Sequence, residues 1–196
     1  MKTLFKYLLT LITFLSVSVF TNAQSNHPIY DYGDTELAAT ASIPDYEQAE
    51  QKLKISGTVY KSDGKTPAKD VIIYVYQTDE NGKYEVKGGS KADKYIYHRA
   101  WLKTDENGKY TFYTFIPGTD YGSNEMKHIH TFIKEPSMPE YQIDGFLFDD
   151  DPYLSKYCRK RLKKSGATNI LNPKKVNDIL EAERDIILNY DQMASR

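Results

Sequence analysis

Apolar and polar positions alternate in short runs over the middle of this chain. Residues 53–60 (Leu-Lys-Ile-Ser-Gly-Thr-Val-Tyr) read as a strand with one buried face. A turn follows at Ser62-Asp63-Gly64-Lys65-Thr66-Pro67. Residues 71–76 are β-branched and aromatic and predict a core strand. A second core strand is expected over residues 110–116, stopped by Pro117-Gly118. Residues 127–133 alternate again, and residues 143–148 supply one more apolar run. Many short strands separated by turn signals predict an all-β protein, an antiparallel β-sandwich.

One heptad occurs twice. Thr-Asp-Glu-Asn-Gly-Lys-Tyr fills residues 78–84 and returns at residues 104–110. Asn-Gly is the strongest short signal for a tight hairpin turn. Each copy therefore predicts a turn followed by a tyrosine that enters a strand, Tyr84 and Tyr110. Tyr110 is expected to do no more than pack in the core.

The two ends break the alternation. Residues 1–23 begin with Lys2 and Lys6, continue through an apolar run and finish at Thr21-Asn22-Ala23. That is the layout of a signal peptide cut after Ala23. The apolar stretch is short for a membrane span, which needs about 20 residues, so no stable membrane anchor is expected. Residues 24–51 are polar without clear periodicity and read as an N-terminal extension. Its Tyr30, Tyr32 and Tyr46 are candidates to pack on the domain. The sandwich is expected over residues 52–152. Residues 153–164 read as a basic helix with a solvated face, ended by Gly166. Residues 176–190 suit either a helix through Val176, Ile179, Leu180 and Ile187, or a last strand at residues 186–188. The C-terminal extension is thus residues 153–196.

Composition narrows the function. Removing the leader takes two of 26 basic residues and none of 27 acidic ones, leaving a net charge of −3. Nothing in that balance suggests a nucleic-acid surface. Cys158 is the single cysteine, so no internal disulfide forms. An exported chain without disulfides must rely on its core or on a metal. The place of function would be the periplasm or the exterior.

The chemistry centres on His128 and His130. Residues two apart on a strand share a face, so both imidazoles leave the backbone side by side. Neutral imidazole is the commonest protein ligand for transition metals. The bland alternative is a solvated or hydrogen-bonded pair on a half-exposed strand. Tyr121 lies seven residues before His128, and a loop of that length can bring it back to the histidine strand. Tyr84 is able to approach from another edge. Two phenolates and two imidazoles form a hard, anionic donor set that favours ferric iron, and a bound cation holds a phenol deprotonated at neutral pH. Taken singly, Tyr84 reads more simply as a strand-entry aromatic and Tyr121 as a loop residue.

The motifs in order resemble the intradiol ring-cleavage dioxygenases, the family of catechol and protocatechuate dioxygenases, from about Leu53 to Pro152. Tyr76-Gln77 with Tyr84 resembles the strand and turn that deliver the family's first iron tyrosine. Arg99-Ala100-Trp101-Leu102 through Phe112 is similar to its Arg-Gly/Thr-Asp/Gly-Tyr-x-Phe stretch. Thr114 to Gly118 leads to Tyr121, and His128-Ile129-His130 matches its His-x-His pair. The resemblance implies a ferric ion, Fe(III), held by Tyr84, Tyr121, His128 and His130. It implies that Tyr121 also leaves the metal to accept a substrate proton. The implied partners are a catechol-type molecule and dioxygen, with the ring opened between its two hydroxylated carbons. Association of copies stays open.

This chain departs from the family pattern in three places. Glu125 stands three residues before His128, where better-known members carry an arginine. A carboxylate there opposes the negative charge that an arginine stabilises. Lys127 is expected to point away from the metal. The chain has a leader in place of the usual N-terminal helical region, and the spacing from Tyr121 to His128 is short. The strand and turn pattern up to Tyr84 also resembles transthyretin-like and carboxypeptidase-regulatory domains, which implies a non-catalytic binding module with an incidental histidine pair. His98 is expected at the surface or behind the site, His27 to be idle, Cys158 half-buried, and Arg99 to hydrogen-bond a ligand or carbonyl.

Overall fold

The computed structural model describes residues 27–89, 94–119, 122, 125–164 and 169–190. The leader at 1–23 and Tyr121 therefore lie outside the described residues. Among the described residues, thirteen strands and one α-helix follow in order. The strands are β1 (Thr40–Ser42), β2 (Lys52–Tyr60), β3 (Ile72–Gln77), β4 (Val86–Lys87), β5 (Tyr95–Ile96), β6 (Arg99–Lys103) and β7 (Lys109–Phe115). Next come β8 (His128–Lys134), β9 (Glu140–Phe148) and helix α1 (Lys156–Lys164). The last strands are β10 (Ile170–Leu171), β11 (Lys174–Val176), β12 (Ile179–Glu183) and β13 (Ile186–Ile187).

Two sheets pack face to face. One runs β1-β7-β2-β12-β11, with β13 also on β2, and the other runs β10-β9-β8-β3-β6. Inward residues of both sheets form one core: Leu53, Ile55, Val59 and Phe112 from the first, and Ile73, Val75, Ile129, Ile133, Ile143 and Phe146 from the second. Phe112 and Phe146 meet edge to face across the gap, with centroids 5.7 Å apart. Such pairs are favourable beyond the area they bury. Gln77 is a buried polar tie between the sheets. Its amide nitrogen donates to the Phe115 carbonyl at 3.1 Å, and its oxygen accepts from the Thr114 hydroxyl at 2.6 Å. A buried amide satisfied on both ends fixes one register of β3 against β7.

Over the described residues the protein is an all-β sandwich with one short α-helix, and its central ladders β2–β7, β3–β6, β3–β8 and β8–β9 are antiparallel. The periphery differs from the expectation: β1–β7, β12–β2, β13–β2 and β10–β9 pair parallel. The stretch before Lys52 contributes an edge strand, Thr40–Ser42, although it shows no alternation. A three-residue edge strand has too few positions to display a period. Ile29 and Ile43 from the same stretch are fully or nearly buried. Val176 ends β11, and residues 179–183 and 186–187 form β12 and β13, so the strand alternative holds at residues 186–187 and the helical reading of Val176, Ile179, Leu180 and Ile187 is overturned. The parallel partner β2 decides this, since Leu180 and Ala182 fall beside Leu53 and Ile55. Among the described residues no helix is long and apolar enough to cross a membrane.

Candidate metal centre

Strand β8 sorts its residues by parity. Ile129, Thr131 and Ile133 are buried in the core, while His128, His130 and Phe132 lie on the outer face. The expected pairing of the two imidazoles is found: His128 Nε2 and His130 Nε2 are 2.7 Å apart. The rings are nearly perpendicular, at 82°, so both nitrogens aim at one spot rather than stacking. A β-bulge in β9 lies opposite His130, between the pairs Ile129–Phe146 and Thr131–Ile143. Gly145 sits in it, and a Cβ there would come within 2.6 Å of the Ile129 carbonyl oxygen. The missing side chain lets the two strands stay close while the extra residue increases the local twist.

Tyr84 reaches the same spot from another direction. Its hydroxyl lies 2.7 Å from His130 Nε2. The turn before it is held tightly: Asp79 Oδ1 accepts from the backbone N–H of Asn81 at 2.9 Å and of Lys83 at 2.8 Å. Only the glycine of Asn81-Gly82 adopts a positive φ, 78°, so this is not the two-residue hairpin turn that Asn-Gly signals. Contrary to the expectation of strand entry, Tyr84 lies outside any strand, and β4 begins two residues later. The turn is docked on the end of the other sheet by the Gly118 N–H, which donates to the Asp79 carbonyl at 2.8 Å. A Cβ on Gly118 would lie 2.3 Å from the Gly82 nitrogen, so no side chain fits.

One proton cannot bridge all three donor atoms. His128 Nδ1–H donates to the Met126 carbonyl at 2.7 Å, which in the neutral ring leaves Nε2 with its lone pair facing His130. If His130 Nε2 carries hydrogen, it cannot point well at both His128 and the Tyr84 oxygen. If it does not, two lone pairs face each other across 2.7 Å. A cation between the three atoms resolves both cases. Donors around a transition metal stand about 3 Å apart when its bonds are about 2 Å long. Burial, then the neighbouring His128, lowers His130 from its ordinary 6.5 to about 4. His130 is therefore neutral at pH 7, the form that ligates. The donor set fits a metal ion, with Tyr84, His128 and His130 as the described holders.

The approach to β8 is fixed by a residue the motifs did not flag. Buried Asp151 accepts from the Lys127 backbone N–H at 2.7 Å and from the Tyr153 N–H at 2.7 Å. The Lys127 ammonium turns to Asp150, 2.9 Å away. Glu125 is exposed. Tyr76, marked by the motifs only as part of the strand before the Tyr84 turn, stacks on His130 with centroids 4.3 Å apart and planes at 20°. Its parity with Tyr74 in β3 was the available signal, but the register that pairs Tyr76 with His130 was not. The same ladder continues to Arg99, the partner of Tyr76 on β6. Arg99 is sandwiched against Tyr95 and Trp101 and lies 3.6 Å from Asp31.

A cleft of about 300 Å³ opens beside this ladder, walled by Tyr74, Tyr76, Tyr95, Arg99 and Phe132. Tyr76 is both its wall and the ring on His130. His27 is not idle, since it packs on Phe132 at 4.5 Å and lines the same cleft. Burial raises Tyr76 above the ordinary phenol value and Tyr74 to about 12, so both phenols stay neutral and present apolar faces. A larger cleft of about 750 Å³, between Pro67, Val71, Glu135 and Tyr190, shares no lining residue with the histidine face. Of the two places expected for His98, the surface is ruled out: it is 3% exposed and faces Asp45 and Glu85. Cys158 is half-buried.

No family model matches the chain. Hydroxyquinol 1,2-dioxygenase from Corynebacterium glutamicum is 37% identical over 67 residues, which is 34% of this chain and 21% of that protein. The match thus spans about a fifth of that relative's length. Among solved structures, catechol 1,2-dioxygenase from Acinetobacter radioresistens superposes with a TM-score of 0.59 and 19% identity over 80% of this chain and 58% of that one. The dioxygenase domain of a carbohydrate-binding fusion protein from Streptomyces sp. SirexAA-E gives 0.58 and 20%, covering 79% and 92%. The intradiol ring-cleavage dioxygenase from Tetranychus urticae gives 0.58 and 20%, covering 80% and 88%. With the strand order and the outward histidine face already described, these likenesses mean that the chain carries the fold of the intradiol dioxygenases.

Proposed function

We propose that this protein is an exported non-haem iron dioxygenase that opens a catechol-type ring between its two hydroxylated carbons. The observation that carries the reading is the meeting of Tyr84 Oη and His128 Nε2 at His130 Nε2, each 2.7 Å from it, on a fold shared with intradiol enzymes. Tyr121 is the fourth ligand by its place in the sequence, between Pro117-Gly118 and the histidine strand. Ferric iron held by these four residues would supply a Lewis-acidic centre for the two substrate oxygens to chelate, drawing electron density from the ring.

The chain's own residues supply the rest. The Met126 carbonyl holds the His128 tautomer, and Asp151 fixes the backbone that leads into it. Tyr76 stiffens His130 by stacking and offers a flat wall to an aromatic ring. Tyr121 is the proposed acceptor of the substrate's proton. In the overall change the bond between the hydroxylated carbons breaks, and each gains one oxygen atom of dioxygen to become a carboxyl carbon. The named activities of the relatives, on catechol and hydroxyquinol, make these two the first substrates to try.

Purified full-length protein expressed with iron should hold about one iron per chain and be wine-red from tyrosinate-to-iron charge transfer. It should consume oxygen with a member of a catechol panel. A colourless, iron-free protein would overturn the reading. Red protein that leaves every catechol untouched would keep the metal and reject the turnover. Export is tested separately, by whether the mature N-terminus begins at Gln24.

A further inference from the structure

Asp45, Glu85 and His98 bring three ligand-type side chains from separate segments to one point, their ligand atoms all within 4.8 Å of one another. Asp45 precedes the single-turn helix at Tyr46–Gln48 and has a left-handed backbone, φ 63°. Glu85 is the residue after Tyr84, and His98 immediately precedes β6.

Their spacing is that of ligands rather than of an ion pair. His98 Nε2 lies 3.4 Å from Asp45 Oδ2 and 3.8 Å from Glu85 Oε2. A charge-assisted N–H to carboxylate bond closes to about 2.7–2.9 Å. Ligand atoms on a tetrahedron with bonds of about 2.0–2.1 Å stand about 3.3 Å apart. The imidazole is buried against Tyr97 and Phe115, and its Nδ1 has no hydrogen-bond partner among the described residues, so its polar contacts are those Nε2 makes with the two carboxylates. The cleft, about 200 Å³, is lined by Asp45, Asp79, Glu80 and Glu85, with no Lys or Arg among the described residues of its wall. Lys87 pairs with the other oxygen of Glu85 at 3.2 Å, which leaves Oε2 directed at His98.

We infer that Asp45, Glu85 and His98 form a second metal site, for a divalent cation of the zinc type. Imidazole with two carboxylates and an open fourth position is a zinc donor set. The ion would tie the segment before β2 to the segment that carries Tyr84 and to β6. In a chain with one cysteine, such a tie does the work a disulfide cannot. The site is independent of the iron reading, since it uses none of Tyr84, His128 or His130.

The test is equilibrium dialysis of the full-length protein against Zn²⁺ or Co²⁺, with metal counted per chain. It is run on His130→Ala, which removes a proposed iron ligand, so that failure of the iron reading does not touch the result. That protein is expected to retain about one zinc and to show the visible bands of four-coordinate cobalt. Adding Asp45→Asn or Glu85→Gln should weaken binding at least about tenfold, and adding His98→Gln should abolish it. Both carboxylates are partly exposed, so their variants decide the matter if His98→Gln does not fold. Zinc retained equally in Asp45→Asn and Glu85→Gln, or none retained in His130→Ala, overturns the proposal.

Discussion

Tyr84 and Tyr110 end two copies of the same seven residues and finish in opposite environments. Tyr110 is 1% exposed, and its hydroxyl donates to the Arg184 carbonyl at 2.7 Å. Tyr84 is 36% exposed, and its hydroxyl meets His130 at 2.7 Å. The two turns are built alike, since Asp105 Oδ1 accepts from Asn107 and Lys109 as Asp79 does from Asn81 and Lys83. Tyr110→Phe leaves a buried carbonyl unpaired and should cost about 1–3 kcal/mol of stability while leaving the iron content unchanged. Tyr84→Phe should do the reverse: little change in melting temperature, a shifted or lost red band, and iron held at least about tenfold less tightly. Denaturant melts and metal analysis of the two variants read both halves.

Gly118 is the contact through which the Tyr84 turn is seated. An added Cβ would lie 2.3 Å from the Gly82 nitrogen and 2.4 Å from the Glu80 carbonyl oxygen, both backbone atoms with nowhere to go. Gly118→Ala should lower stability by about 1–3 kcal/mol and weaken iron binding together with it. A variant as stable as the parent with unchanged colour would show that the turn is positioned by something else.

The metal-free protein should lose stability in acid through His130. Its folded value is about 4 against an ordinary 6.5, because burial and then His128 disfavour the charged ring. The unfolded chain therefore takes up a proton below about pH 6.5 that the folded protein refuses until about pH 4. This contribution to stability is complete above that window and lost as pH falls through it. Melting temperatures of the metal-free protein at pH 7.5 and 4.5 should differ more than those of His130→Gln. Equal drops in the two proteins would remove His130 as the cause.

Glu125 is exposed and stands three residues before His128. If it faces the substrate, Glu125→Arg should raise kcat/KM on the best catechol by about tenfold or more, since a cation there stabilises developing negative charge. Oxygen-uptake rates that do not change would place Glu125 away from the reacting ring.

What the sequence determined here is whatever depends on local period and local chemistry. Alternation set the core strands and placed His128 and His130 on one face, because side-chain direction in a strand repeats every two residues. The heptads marked both turns, because Asp, Asn and Gly bond and bend over four residues. Tertiary structure decided what depends on partners distant in the chain. The fates of Tyr84 and Tyr110 follow from which strands they meet, β8 or β2, and the same seven residues cannot encode that. Thr40–Ser42 and Ile186–Ile187 are too short to carry a period and become strands only beside β7 and β2. The stacking of Tyr76 on His130 follows from one register between β3 and β8. The convergence of Asp45, Glu85 and His98 likewise follows from long-range packing, which no spacing along the chain records.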